Sequence, residues 1–228
     1  MSGLIQGLYD NFIFKDRWMY IVQGLGNSLL ITILAAILGI ALGFVVAIIR
    51  STHEKTGNLK ILNRICKIYL SVIRGTPVYV QLLIMFFVIF TSSNNKVLVA
   101  IITFGINSGA YVAEIVRSGI MSIDQGQFEA GRSLGFTYMQ TMINIILPQA
   151  LKNVLPALAN EFIGLLKETS ICGVIGLTDL IRGGLIIQSA TYEAFLPLIV
   201  VALIYLLLVI VLTSLVSMLE RRLRVNER

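Results

Sequence analysis

Residues 24–49 read GLGNSLLITILAAILGIALGFVVAII and carry no charged side chain. A helix that crosses a membrane needs about 20 consecutive apolar residues, because the hydrocarbon core of a bilayer is about 30 Å thick. An apolar strand buried in a soluble protein is shorter, about 4 to 8 residues long. The length of this stretch therefore predicts a membrane-spanning helix.

Apolar stretches recur along the rest of the chain, in which 57% of the residues are hydrophobic and only 13% are charged. This balance is typical of a protein whose main solvent is lipid. We predict an all-α polytopic membrane protein that forms a single domain over residues 1–228. Its five transmembrane helices are expected near residues 24–49, 65–90, 97–116, 152–170 and 194–219.

Proline interrupts two of these spans, because it lacks the N–H that a helix interior requires. The second span is interrupted at Gly75-Thr76-Pro77. For the fourth we expect a short helix that ends at Leu147, a break, and then a span that begins near Lys152.

Lys and Arg residues are unevenly distributed about these spans. Thirteen of the 18 fall on one side of the membrane, and the other five are Lys15, Arg17, Lys96, Lys167 and Arg182. The positive-inside rule then places the N-terminus outside and the C-terminus inside. The net charge of +6 follows from this topology, and basic residues at helix ends do not indicate a nucleic-acid partner.

Small residues recur every four positions along the first span, at Ala35, Gly39, Gly43 and Ala47. Such a stripe lets another helix backbone approach closely. It fits either a packing face within the chain or an interface with a second subunit, and the first interpretation is favoured.

A polar segment lies between the third and fourth spans. Residues 127–135 read QFEAGRSLG, too polar to enter lipid, and predict a short surface helix. Its expected end is Gly135, because glycine adopts the left-handed conformation after a last helical turn without steric cost. The alternative is an ordinary solvated connector.

The residues that follow this segment extend it into a longer pattern. Glu129-Ala130-Gly131, then Gly135, then Ile145, Leu147 and Pro148, resemble the EAA loop of binding-protein-dependent ABC importer permeases. The chain departs from the family pattern at Gly131, where a second alanine is usual. Further matches, which resemble the histidine/glutamine/arginine branch of the family, are Arg74-Gly75-Thr76-Pro77 with Gln81, Ala110-Tyr111-Val112-Ala113-Glu114-Ile115 with Arg117, and Leu165-Leu166-Lys167-Glu168-Thr169-Ser170.

The resemblance implies the type I ABC importer permease fold and a place in the bacterial inner membrane. It implies that residues 126–137 form a coupling helix, in which Glu129, Ala130, Arg132 and Gly135 dock on a cytoplasmic ATPase dimer. ATP and Mg are expected on that ATPase, because the chain has no G-x-x-x-x-G-K-[ST] phosphate-binding loop. An external amino-acid-binding protein is the expected donor of substrate.

We single out two carboxylates within predicted spans, Glu161 and Glu114, because each needs a partner or a wet cavity there. Glu161 shares a helix face with Asn153, Ala157 and Gly164. It is predicted to bind a cationic amino acid such as arginine, lysine or histidine. The alternative is an internal ion pair with Lys167 or Arg182.

Glu114, the second carboxylate, precedes Arg117 by one helical turn, so we favour a structural ion pair over substrate binding for it. Four neutral side chains could hydrogen-bond the amino and carboxylate groups of a substrate, or equally the neighbouring backbone: Asn27, Thr32, Tyr111 and Asn160.

We predict no catalytic residues and no metal site, because the sequence offers neither an acid–base pair nor a cluster of metal ligands. Competing functions are a membrane enzyme and a secondary transporter, which usually contains internal repeats. Within the importer interpretation, glutamine or another polar amino acid is the alternative substrate. Five spans form a poor pathway alone, so we expect a dimer, either of this chain with itself or with a sister permease.

Overall fold

The computed structural model describes the backbone of residues 2–225 and the side chains of residues 5–54 and 56–222. Every regular element in this part of the chain is helical, as predicted. Met1 and residues 226–228 of the predicted domain lie outside the described residues. The α-helices are α1 (Ser2–Leu8), α2 (Trp18–Thr56), α3 (Lys60–Gly75), α4 (Val78–Ile84), α5 (Lys96–Met121), α6 (Gln125–Ser133), α7 (Tyr138–Thr141), α8 (Leu147–Glu168), α9 (Leu180–Thr191) and α10 (Phe195–Val225).

Four continuous helical segments are long and apolar enough to cross a membrane: Trp18–Glu54, Lys96–Met121, Tyr138–Ile175 and Phe195–Arg222. A fifth span is available if the bent pair Lys60–Gly75 and Val78–Ile89 is counted as one. The second predicted span is therefore the one that departs from a straight helix.

The two helices of this pair meet at 106°, a sharper change than the interruption that the sequence predicted. Thr76, which precedes Pro77, is extended with φ −122° and ψ 143°, because proline disfavours the helical region for the residue before it. The Gln81 side chain stabilises the bend, since its Nε2 donates to the carbonyl oxygens of Ile73 and Thr76 at 2.8 and 3.0 Å.

The predicted break before Lys152 is wrong, because the helix runs without interruption from Tyr138 to Ile175. A π-helical turn, Met142–Ile146, leads into Pro148. Pro148 lies in the first turn of α8, where a missing N–H is tolerated. The Gln149 side chain donates to the Ile145 carbonyl at 2.8 Å, so the local hydrogen bonding is restored by a side chain and by a wider helical turn.

Helix α5 lies at the centre of the fold and packs along the small-residue stripe of α2. A Cβ atom added to Gly43 would lie 2.4 Å from Val112 Cγ1, and one added to Gly39 would lie 3.0 Å from Ser108 Cβ. The stripe is thus a packing face within the chain, as the favoured interpretation held.

Gly24, near the N-terminus of α2, lies close to the backbone of Asp179, the residue that precedes α9. A Cβ there would lie 2.4 Å from the backbone oxygen of Asp179, whereas a Cβ on Gly26 would meet nothing within 4 Å. We expect Gly24→Ala to destabilise the protein by about 1–3 kcal/mol, because backbone must move to admit the methyl group. Gly26→Ala should leave stability unchanged or raise it slightly. Thermal unfolding of the two purified variants checks this, and equal midpoints would contradict it.

Candidate functional site

An open cavity of about 560 Å³ lies where α3, α5 and α8 meet. Three of the predicted substrate-binding residues, Tyr111, Glu114 and Glu161, line it together. The other lining residues are Arg74, Ile115, Ser118, Gly119, Ser122, Asn153 and Ala157.

Glu161 is half-buried on the cavity side of α8. One of its carboxylate oxygens accepts a hydrogen bond from the Ser108 hydroxyl at 2.9 Å. Among the described residues it forms no salt bridge, so the alternative pairing with Lys167 or Arg182 is not seen. A carboxylate held by one hydroxyl retains acceptor capacity for a cation.

The face of α8 around Glu161 is polar and small, as the helical period predicted. Asn153 and Ala157 line the same cavity, and the Asn153 side chain donates to the Ser122 hydroxyl at 3.1 Å. A Cβ added to Gly164, one turn beyond Glu161, would meet nothing within 4 Å. At Gly164 this face is therefore not packed against the rest of the described chain.

Glu114 is the centre of an ion-pair network. It pairs with Arg117 on its own helix, with Arg50 of α2 at 3.2 Å and with Arg74 of α3 at 3.8 Å. Glu54 pairs with both Arg50 and Arg117. The predicted structural pairing of Glu114 with Arg117 is thus present. The same carboxylate also forms salt bridges to α2 and α3, so the network links three helices at the edge of the cavity.

Sequence reasoning missed Arg74 and Ser108 as site residues. The Arg74 guanidinium lies 5.8 Å from the centre of the Tyr111 ring, close enough for a cation–π contact. A signal for Ser108 was present, because several residues of α5 and its C-cap that line the site or contact Glu161 recur at helical spacing: Ser108, Tyr111, Ile115, Ser118 and Ser122.

The structure does not bring three other predicted residues to the cavity. Asn27 donates its side-chain N–H to the Thr178 carbonyl at 2.8 Å, and buried Thr32 donates its hydroxyl to the Ser28 carbonyl at 2.7 Å. Thr32 therefore bonds neighbouring backbone in its own helix, which was the alternative interpretation, whereas Asn27 bonds a backbone carbonyl in the loop before α9. Asn160 is exposed and lies outside the cavity lining.

The predicted coupling helix corresponds to α6, which is shorter than the expected residues 126–137. Its N-terminus is capped by the Asp124 carboxylate, which accepts from the Gly126 N–H at 2.6 Å. At its C-terminus, Gly135 has φ +82°, and the Phe136 N–H bonds the Gly131 carbonyl at 3.0 Å. This is a Schellman motif, and the predicted role of Gly135 as the left-handed end of the helix is confirmed.

One side of α6 packs on the protein and the other is exposed. Phe128 stacks on Tyr138, with ring centres 6.1 Å apart. Gly131 is buried, and a Cβ there would lie 2.7 Å from the Thr141 side chain. This contact gives a physical reason for glycine where the resemblance led us to expect alanine. The predicted docking residues Glu129, Ala130, Arg132 and Gly135 are all exposed.

Comparison with known proteins identifies the family of this chain. Residues 39–225 match the model of the family described as binding-protein-dependent transport system inner membrane component. The chain belongs to this family. The match confirms the resemblance that was drawn from the EAA loop. This transport component is located in the bacterial inner membrane.

Relatives of this transport component cover nearly its whole length. The arginine transport system permease protein ArtQ of Bacillus subtilis is 39% identical over 211 residues, 91% of this chain and 94% of the relative. The glutamine transport system permease protein GlnP of Escherichia coli is 36% identical over 198 residues, 85% of this chain and 90% of the relative. A crystal structure of an amino acid ABC transporter with histidines matches with a TM-score of 0.82 and 41% identity, covering 92% of this chain and 98% of the other.

Members of this family work with a cytoplasmic ATPase and a binding protein, which is the division of labour that the resemblance to the EAA loop implied. The type I permease fold is likewise confirmed by the structural match.

Proposed function

We propose that this chain is the permease subunit of an ATP-driven importer of basic amino acids. The observation that carries the substrate class is the Glu161 carboxylate. It lies in a helical segment long and apolar enough to cross a membrane, lines an open cavity and has no salt-bridge partner among the described residues. An acid at this depth requires a counter-charge or water. A cationic substrate would supply that charge during transport.

The groups around Glu161 fit the rest of an amino acid. Arg74 lines the same cavity and contacts the Tyr111 ring, so it is placed to pair with the α-carboxylate of a substrate. Glu168 follows Glu161 on the same face of α8, two turns or about 10 Å along the helix. A basic amino acid carries two cationic groups, and two carboxylates along one face suit it better than they suit a neutral side chain.

The importer would act as a dimer, because one chain leaves the cavity face of α8 uncovered at Gly164. We propose a second copy of this chain as the partner, with the substrate path between the two. The permease residues bind and orient the substrate, while ATP and Mg are bound by the separate ATPase dimer and an external binding protein delivers the amino acid. Docking of α6 on that ATPase would transmit its closure to the adjoining α5 and α8 as a rigid-body motion.

Glutamine is the second candidate substrate, because the Escherichia coli relative is a glutamine permease and Glu161 could bind the α-ammonium of any amino acid. The two candidates differ in competition. We would measure ATP-dependent uptake of radiolabelled arginine in proteoliposomes that contain the chain, its ATPase and its binding protein.

We expect unlabelled lysine and histidine to compete with arginine and glutamine to compete at least about tenfold more weakly, the effect of losing about 1.4 kcal/mol of interaction. Stronger competition by glutamine would reject the basic substrate class. Uptake driven by an ion gradient in the absence of ATP would reject the importer itself in favour of a secondary transporter.

A further inference from the structure

A second cavity adjoins the ion-pair network, at the basic ends of α2 and α3. Its volume is about 560 Å³. It shares Arg74 and Glu114 with the candidate substrate cavity, and its other lining residues are Arg50, Lys67, Leu70, Ser71 and Gly75. Nothing in the proposed transport of an amino acid requires this second cavity.

Positive charge exceeds negative charge around this cavity. Glu114 is shared by three arginines, and Glu54 is shared by two of them. Lys67 forms no salt bridge with any residue that the structure describes. The cavity lining itself contains three basic side chains, Arg50, Lys67 and Arg74, and one carboxylate, Glu114, and the surplus of positive charge favours an anion.

Helix α3 presents two different surfaces beside the cavity. Lys67, Ser71 and Arg74 recur at helical spacing and line the cavity. A separate face is apolar and exposed, and its residues also recur at helical spacing: Ile61, Ile65, Ile68 and Val72. An amphipathic helix with basic and apolar faces is typical of the membrane interface, and the 106° bend after Gly75 lets α3 lie along the bilayer surface while residues 78–89 enter it.

We propose that this cavity binds the phosphate headgroup of an anionic phospholipid. Arginine guanidinium groups hold phosphate oxygens through paired hydrogen bonds, a lysine adds a point charge, and the Ser71 hydroxyl is a further donor. The apolar face of α3 favours a lipid over free phosphate as the source, since acyl chains would lie against it. Basic pockets between helices at the membrane surface bind such headgroups.

Lys67 gives the cleanest test, because it lines this cavity and not the candidate substrate cavity. Arg64 is a matched control, since it is an exposed basic residue of the same helix that lies outside the cavity lining. Native mass spectrometry of the permease–ATPase complex in neutral detergent would measure binding of phosphatidylglycerol and phosphatidylcholine. We expect preferential binding of phosphatidylglycerol, weakened about fivefold by Lys67→Gln and unchanged by Arg64→Gln.

Three results would overturn the proposal: equal losses in the two variants, which would indicate general surface charge; equal binding of the two lipids; and displacement of phosphatidylglycerol by millimolar inorganic phosphate, which would assign the cavity to free phosphate. Thermal unfolding of each variant shows whether it is folded. If Lys67→Gln is not, Ser71→Ala replaces it and should also weaken phosphatidylglycerol binding.

Discussion

Replacement of Gly135 by tryptophan should separate the permease from its ATPase. Gly135 follows the last turn of α6 with φ +82°, and a Cβ there would meet nothing within 4 Å. The indole would therefore point away from the permease, toward the surface on which we expect the ATPase to dock. A bulky group at a packed interface position should weaken association by more than about 30-fold, the equivalent of about 2 kcal/mol. Co-purification of the ATPase and ATP-dependent uptake would measure this loss.

Gly57 is the matched control for this variant. It also has a positive φ, of +70°, and a Cβ there would also meet nothing within 4 Å, but it ends α2 rather than the coupling helix. Gly57→Trp carries the same backbone strain, about 1–2 kcal/mol for a side chain in the left-handed region, and should retain the ATPase. If Gly135→Trp transports like wild type, α6 is not the coupling helix. If both variants lose the ATPase, the effect is one of strain.

Neutralising Glu161 should have the second large effect. In Glu161→Gln the side chain keeps its size and can still accept from the Ser108 hydroxyl, but it loses the charge that faces the cavity. Loss of a partly buried ionic contact with substrate costs about 2–5 kcal/mol, so arginine uptake should fall by at least about 30-fold. Initial rates over a range of arginine concentrations would locate the loss in KM or in the maximal rate.

Ser108→Ala provides the comparison, because it removes the one hydrogen bond to Glu161 and keeps the carboxylate. A neutral hydrogen bond contributes about 0.5–1.5 kcal/mol, so this variant should lose less than about tenfold. Arginine uptake by Glu161→Gln at the wild-type rate would remove Glu161 from the site. An equal loss of arginine and glutamine uptake would assign it to the α-ammonium group instead of the side chain.

Prediction from sequence succeeded where the signal was local. The first span follows from an uninterrupted apolar run, and the end of α6 follows from a glycine in the position that a Schellman motif requires. Prediction failed at Pro148, because the tolerance of proline there depends on the π-helical turn before it. The angle between α3 and α4 also could not be predicted from the sequence, since Pro77 indicates a break in the helix but not its direction.

The prediction of substrate-binding residues also succeeded where the signal was local and failed where it depended on contacts between distant segments. The helical period placed Asn153, Ala157 and Glu161 on one face of α8, but the orientation of that face depends on how α8 packs against α5. The hydrogen bond between Ser108 and Glu161 joins residues 53 positions apart. Asn27 and Thr32 had suitable chemistry, yet their side chains bond backbone carbonyls, that of Thr178 for Asn27 and that of Ser28 for Thr32.

The sequence by itself predicted that the chain crosses a membrane and that a short helix, our candidate coupling helix, lies between the third and fourth spans, and it led us to expect ATP on a separate subunit. These properties depend on hydrophobic length, helix capping and motif spacing, all of which act over a few turns of chain. Only the tertiary structure decided that Glu161 faces an open cavity, that Glu114 ties three helices together and that a basic cavity lies beside α3. Those arrangements depend on the rotation and crossing of helices that are distant in sequence, which packing alone determines.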